Sequence, residues 1–189
     1  MKKISKKPST LIYPAPAVLV SCGNNTENYN IITIAWTGTI NSIPPMCYIS
    51  VRKERHSYHI LKENMEFVIN YSTKNLVRAT DFCGRKSGKD VNKFNEMKLT
   101  AQAGEKVNAP IILESPVNIE CKVKDIIELG SHDMFIAEVV NIQVSENYVD
   151  ESNNGLKIKH NELITYVNGK YIGLNEIIEQ AGFSIRNNE

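Results

Sequence analysis

The chemistry of this chain is most visible in a basic cluster that lies between a strand pattern and a helix pattern. Four basic side chains fall within five positions, at Arg52, Lys53, Arg55 and His56. The next residue, Ser57, is of a type preferred at helix N-caps, so we predict that it begins a short helix. A helix N-terminus and nearby arginines favour a phosphate, because unpaired N–H groups and guanidinium groups both donate hydrogen bonds to its oxygens. The cluster therefore predicts a phosphate site; a solvated turn partly neutralised by Glu54 is the alternative.

A second candidate is the stretch from Asn28 to Ile40, whose alternation predicts a strand with two different faces. One face carries Ile32, Ile34 and Trp36, and the other carries Thr33, Ala35 and Thr37. We interpret the first face as a core face. The second is small and weakly polar, which suits close approach of a flat ligand whose ring edge bonds backbone amides and hydroxyls. Solvent on one side of an antiparallel strand explains the same pattern.

Two further stretches could contact a ligand. The stretch from Gly84 to Asp90 has three residues between its glycines where a P-loop has four, and Asp90 stands where Ser or Thr should hold magnesium. It is therefore not a nucleotide-triphosphatase motif, and a flexible basic loop near an anion is the interpretation left. His132 falls in a predicted turn between two strands, where it could contact a ligand, shuttle protons or be an ordinary polar residue. The remaining histidines show no ligand-type spacing, so we predict no metal site.

Composition excludes several function classes. The 189 residues carry 22 basic and 21 acidic side chains, so no overall field draws in nucleic acid or an acidic membrane. No apolar run approaches the roughly 18 residues of a transmembrane helix. The stretch ending in Cys22 resembles a lipoprotein cleavage box, but Pro14 and Pro16 interrupt its apolar part, which favours a first strand. The four cysteines lie far apart, which predicts buried reduced thiols in a cytoplasmic protein.

The elements that must position these residues are mostly strands. They are predicted at residues 17–21, 31–36, 46–51, 66–71, 119–127, 134–144 and 163–167. Asn168-Gly169 predicts a tight hairpin after the last of them. Short helices are predicted at 57–63, 74–82 and 91–95, and residues 84–116 are predicted to form a long loop outside the barrel. We predict one domain over residues 1–189, mainly β and built as a barrel, with loose ends at 1–10 and 183–189.

Four segments, in this order, resemble the flavin reductase-like, FMN-binding split-barrel family, and in particular its flavoredoxin-type branch. They are "YPAPAVLVSCG", "NIITIAWTGTINSIPPMCYISVRKERHSYHILKENMEFVIN", "FCGRKSGKDVNKF" and "ELGSHDMFIAEVV". The resemblance covers about residues 13–144. Trp36 is bulkier than the serine common in two-component monooxygenase reductases, and it suits the flavoredoxin-type branch.

The resemblance implies a Greek-key FMN-binding split barrel, a homodimer with FMN near the subunit interface, and site residues by position. Contacts along the isoalloxazine ring are implied for Thr33, Ala35, Trp36 and Thr37. The phosphate end is implied for Ser50, Arg52, Arg55, His56 and Ser57. A loop that closes over the flavin or its phosphate is implied for Ser87, Gly88 and Lys89. His132 matches a histidine near the flavin, sometimes linked to nicotinamide binding.

The resemblance also implies that FMN exchanges electrons with NAD(P)H or with a redox protein partner. The chain has no GxGxxG fingerprint, so a nicotinamide would have to stack directly on the flavin. We predict an NAD(P)H-dependent flavin reductase-like oxidoreductase, whose chemistry is carried by the flavin without a protein nucleophile or acid–base pair. Two alternatives are a flavoredoxin-like electron carrier without its own small-molecule turnover and a barrel that binds another ligand, such as haem.

Overall fold

A computed structural model describes residues 1–153 and 155–185. The strands are β1 Ala15–Pro16, β2 Val18–Cys22, β3 Asn30–Ile34, β4 Thr37–Ser42, β5 Pro45–Arg52, β6 Glu66–Asn70, β7 Ala101–Ala103, β8 Pro110–Ile112, β9 Val117–Glu128, β10 His132–Val144, β11 Val149–Asp150, β12 Gly155–Leu156, β13 Ile164–Val167 and β14 Lys170–Gly173. The α-helices are α1 His56–Asn64, α2 Val77–Arg85 and α3 Lys93–Met97. The predicted fold class, mainly β with a few short helices, is confirmed.

Seven strands form one antiparallel sheet in the order β3-β2-β6-β9-β10-β5-β4. Alternation along the strands directs one set of side chains inward, and Ile49, Phe67 and Phe135 are among the fully buried ones. Burying such side chains contributes roughly 1.5–3 kcal/mol each, so this shared face holds the curved sheet together. A second apolar cluster, which includes Leu19, Cys83 and Phe94, lies where α2 and α3 cover β2 and β3.

The seven-stranded sheet does not close by hydrogen bonding, because β3 and β4 are its two edges. These edge strands are consecutive in the chain, and only Ala35 and Trp36 lie between them. The chain therefore crosses the opening of the split barrel within two residues. A smaller sheet, β1-β13-β14, is formed from both ends of the chain.

Several predicted boundaries change in the structure. The strand predicted at 31–36 ends at Ile34, because the chain bends at residues 35–36. The segment at 84–116 is not a patternless loop, since it contains α3 and the β7–β8 hairpin. These elements pack Phe94 and Ile112 into the second apolar cluster. Such short elements do not show a hydrophobic period in the sequence, so the sequence pattern did not reveal them.

Other local predictions hold. Asn168 and Gly169 both have positive φ and connect β13 with β14, as the Asn-Gly hairpin signal predicts. All four cysteines are free and buried. Residues 1–10 have no regular secondary structure and are exposed, and 183–185 form a 3₁₀ turn, whereas the predicted loose tail at 186–189 lies outside the described residues. Within the described ranges, no helix is long and apolar enough to span a bilayer. The assignment of one domain stays a prediction.

Candidate functional site

The opening of the split barrel exposes Trp36. Its side chain does not join Ile32 and Ile34 on the core face as the alternation predicts, because the bend at residues 35–36 turns it outward; it is 41% exposed. The Trp36 carbonyl accepts a hydrogen bond of 2.9 Å from the Ser50 amide, which ties the bend to β5. The indole packs against the His132 imidazole with 4.4 Å between ring centroids.

The outer face of β5 continues the site. Cys47, Ile49 and Val51 point into the core, so the alternate residues Ser50 and Arg52 face outward. Arg52 is paired in register with His132, the first residue of β10 and not a turn residue as predicted. A cavity of about 150 Å³, which we call the bend cavity, opens here. Its lining includes Thr33, Ala35, Trp36, Ser50, Arg52 and His132.

Helix α1 begins one residue earlier than predicted, and Ser57 is not its cap. Arg55 occupies the N-cap position in an extended conformation, without a side-chain capping bond. Ser57 lies in the first turn, where its buried hydroxyl accepts a 2.7 Å hydrogen bond from Asn30 Nδ2. The first amides of the helix, including those of His56 and Ser57, have no intrahelical acceptor and can donate to a ligand.

A larger cavity of about 320 Å³, the basic cavity, lies at this helix terminus. Its wall carries the cationic side chains of Arg55, Arg85, Lys86 and Lys93 against one carboxylate, that of Glu54. Ser87 and Gly88 of the predicted loop also line it, whereas Lys89 lines an adjoining polar cavity with His56. A Cβ on Gly88 would lie 2.2 Å from Asn30 Oδ1, so only glycine lets this loop approach β3 so closely.

The structure divides the predicted phosphate end. Arg55, His56 and Ser57 line the basic cavity, but Ser50 and Arg52 line the bend cavity. Arg52 forms an exposed ion pair of 3.2 Å with Glu54. Arg55 lines both cavities, and its Nη1 donates a 3.3 Å hydrogen bond to the Gly84 carbonyl. Thr37, the remaining predicted ring contact, lines a third cavity that adjoins the bend cavity at Ala35, Trp36 and Ser50.

Lys93 is a site residue that the sequence analysis missed. It is only 4% exposed, and Nζ donates to the carbonyls of Ile31 at 2.6 Å and Cys83 at 2.9 Å. An ammonium group has three N–H donors, so one is left for a ligand in the basic cavity. Burial lowers the pKa of Lys93. A lysine within a short helix pattern gives no signal of such burial, because lysines there are usually solvated.

His132 faces the bend cavity as a weak base. Partial burial lowers the pKa of His132, and the positive charges of Arg52 and Arg55 lower it further against the opposing effect of Glu54. The neutral imidazole is therefore favoured at neutral pH. Next to it, the fully buried Asp133 accepts a 2.6 Å hydrogen bond from the Tyr58 hydroxyl.

These features suit a ligand with an anionic end and a flat ring. Cations and helix amides meet at the basic cavity, while small side chains, an indole and an imidazole meet at the bend cavity. Because Arg55 lines both, one elongated molecule can occupy the two together.

Several known proteins resemble this chain in sequence and fold. The family model described as "Flavin reductase like domain" matches residues 10–174. A flavoredoxin of Desulfovibrio vulgaris (Miyazaki F) is 31% identical, with 98% of this chain and 100% of that chain covered and a TM-score of 0.88. A flavoredoxin from Methanosarcina acetivorans is 26% identical at the same coverage and TM-score. An FMN-binding protein from Thermus thermophilus, 20% identical over 95% of this chain and 98% of that chain, shares the fold with a TM-score of 0.79.

Proposed function

The chain belongs to the flavin reductase-like domain family, and we propose that it binds FMN and moves electrons from NADH or NADPH through it to an acceptor. The observation that carries this proposal is the pair of joined cavities. A phosphate fits the basic cavity by charge, and a planar ring fits between the small side chains and Trp36 of the bend cavity.

The donor set of this chain suits the FMN phosphate. The phosphate oxygens would accept hydrogen bonds from Arg55, the first amides of α1 and the free N–H of Lys93. Ser87 and Gly88 would form the adjacent wall. Thr33 and Ala35 would contact the ring edge in the bend cavity, whereas Thr37, of the described cavities, lines only the third. Bound FMN supplies hydride acceptance and onward electron transfer. The protein orients it and excludes water, and the neutral His132 ring next to Trp36 offers a contact for a nicotinamide.

We expect Arg55→Gln to weaken FMN binding. Hydrogen bonds to charged groups contribute about 1.5–3 kcal/mol, so the dissociation constant should rise about 10- to 100-fold. Quenching of FMN fluorescence on titration with protein measures it. Arg78→Gln changes an exposed arginine that lines none of the described cavities and serves as the matched control. Equal affinity for the two variants would remove Arg55 from the site.

Electron input is tested on the FMN-loaded protein without oxygen. Loss of flavin absorbance after addition of NADH or NADPH supports the reductase. The two flavoredoxin structures favour a second candidate, an electron carrier that exchanges electrons with a redox protein. Bleaching by dithionite but by neither nicotinamide would favour this carrier. A protein that neither quenches FMN nor is thermally stabilised by it would contradict both.

We also propose a cytoplasmic homodimer. The four free, buried cysteines suit a reducing compartment. The open edge of the split barrel and several exposed isoleucines offer surface for a second subunit.

A further inference from the structure

A third cavity, the arm cavity, adjoins the bend cavity and, among the described residues, shares no lining residue with the basic cavity. Its volume is about 420 Å³, and the N-terminal segment forms one wall. Its lining includes Ile12, Pro14, Pro16, Trp36, Tyr48 and Ser50. Ala35, Trp36 and Ser50 line both this cavity and the bend cavity, so occupants of the two would share these side chains as walls.

The arm cavity differs sharply in charge from the rest of the site. The wall of the basic cavity carries four cationic side chains, Arg55, Arg85, Lys86 and Lys93. The side chains that line the arm cavity, taken over the described part of the chain, are all uncharged. An ionised group entering it would lose hydration without gaining a partner, so the cavity selects for a neutral ligand.

Apart from the Trp36 indole N–H, the polar side-chain groups of the arm cavity are hydroxyls. Those of Tyr48 and Ser50 have no hydrogen-bond partner among the residues that the structure describes. A hydroxyl can donate to a carbonyl oxygen, and the Trp36 indole and the prolines offer apolar surface to a ring. A flat aromatic molecule with carbonyl oxygens satisfies both kinds of group.

We propose that the arm cavity binds an uncharged quinone as the electron acceptor. This inference rests on the proposed function, because the quinone would receive electrons through the flavin site across Ala35, Trp36 and Ser50. A quinone takes two electrons and two protons to become the hydroquinone. NADH or NADPH supplies both electrons and one proton as hydride, leaving the oxidised nicotinamide, and solvent supplies the second proton.

Isothermal titration of the FMN-loaded protein with 1,4-naphthoquinone tests the site, with 1,4-naphthoquinone-2-sulfonate as the charged analogue. We expect the sulfonate to bind at least about tenfold more weakly, because its charge is not compensated. Ile12→Asp should weaken naphthoquinone binding by a similar factor. Ile12 is 90% exposed, so the variant should fold, and Ile4→Asp, at a 73% exposed residue outside the cavity, is the matched control.

Equal binding of the two naphthoquinones, or equal affinity in the two aspartate variants, would overturn the proposal. Release of FMN by naphthoquinone would also overturn it, because the arm cavity would then be part of the flavin site. The same titration on FMN-free protein separates the quinone site from the proposed function. Quinone binding that depends on Ile12 in a protein unable to bind FMN would leave the arm cavity as a quinone site, and it would contradict the flavin function together with the acceptor role that rests on it.

Discussion

Lys93 shows how a single buried charge shapes the site. Its ammonium group joins the carbonyls of Ile31 on β3 and Cys83 on α2, and it adds positive charge at the base of the basic cavity. Desolvation lowers its pKa, although the nearby Cys22 and Cys83 act in the opposite direction. The residue is therefore maintained at some cost in stability, which is expected of a group that serves a ligand.

This cost should appear in the pH dependence of stability. Above the folded pKa of Lys93 and below its unfolded value near 10.5, the unfolded chain holds a proton that the folded chain has released. Stability conferred by the wild-type lysine therefore rises with pH in that window, by at most about 1.4 kcal/mol per pH unit. Urea unfolding of wild type and Lys93→Met at pH 7.5 and 10 measures the difference between them. A free energy of unfolding of wild type that falls, relative to that of Lys93→Met, between the lower and the higher pH would contradict the assignment.

At the scale of elements, one buried carboxylate connects three parts of the site. Asp133 begins the buried run of β10, accepts a hydrogen bond from Tyr58 of α1, and lies 3.3 Å from Lys53 Nζ in the intervening turn. Its neighbour in the chain is His132, and Tyr58 follows Ser57. The network therefore fixes the bend cavity relative to the helix terminus at the basic cavity.

We expect Asp133→Asn to loosen this arrangement. The amide can still accept a hydrogen bond from Tyr58. The variant therefore keeps the shape of the side chain and removes the negative charge that faces Lys53. Removing one partner of a buried polar pair costs about 1–3 kcal/mol, which urea unfolding measures. FMN affinity should fall as well, because both cavities move relative to each other. Glu128→Gln removes the exposed carboxylate that lies 3.4 Å from the same lysine, and it should change neither quantity. Equal effects of the two variants would contradict the role of burial.

At the scale of the whole molecule, the split barrel leaves apolar surface that one subunit does not cover. Ile43 is 90% exposed at the turn between β4 and β5, where polar residues are usual. The β4 edge beside it has unpaired backbone groups, which favour contact with a second chain. Both features lie on the hairpin that follows the Trp36 bend.

We therefore expect a dimer in solution that depends on this hairpin. Light scattering after gel filtration should give twice the chain mass of 21.3 kDa for wild type. Ile43→Asp should shift the protein towards monomer, because dimerisation would bury the carboxylate. Ile185→Asp, at another exposed isoleucine, is the comparison. A monomeric wild type contradicts the dimer, and equal shifts in both variants contradict the role of the hairpin.

The family, the fold class and most strands can be predicted from the sequence alone, because motif order, alternation and turn chemistry can be read without the fold. The strands of the core, such as β5 and β6, and the Asn168-Gly169 hairpin belong to this group. The residues proposed for the site were predicted from the order of the motifs, and the chemistry of each residue type is known without the fold.

The grouping of these residues into cavities depends on tertiary contacts. The bend that exposes Trp36 depends on the Ser50 amide of β5, and the burial of Lys93 depends on the carbonyl of Ile31, which lies 62 residues earlier in the chain. Arg52 and Ser57 line different cavities, because α1 starts at His56 and because Arg52 pairs with Glu54 in the turn before the helix. The contacts of Trp36 and Lys93 join positions whose partners are chosen by the packing of the sheet, and periodicity within one segment contains no information about them.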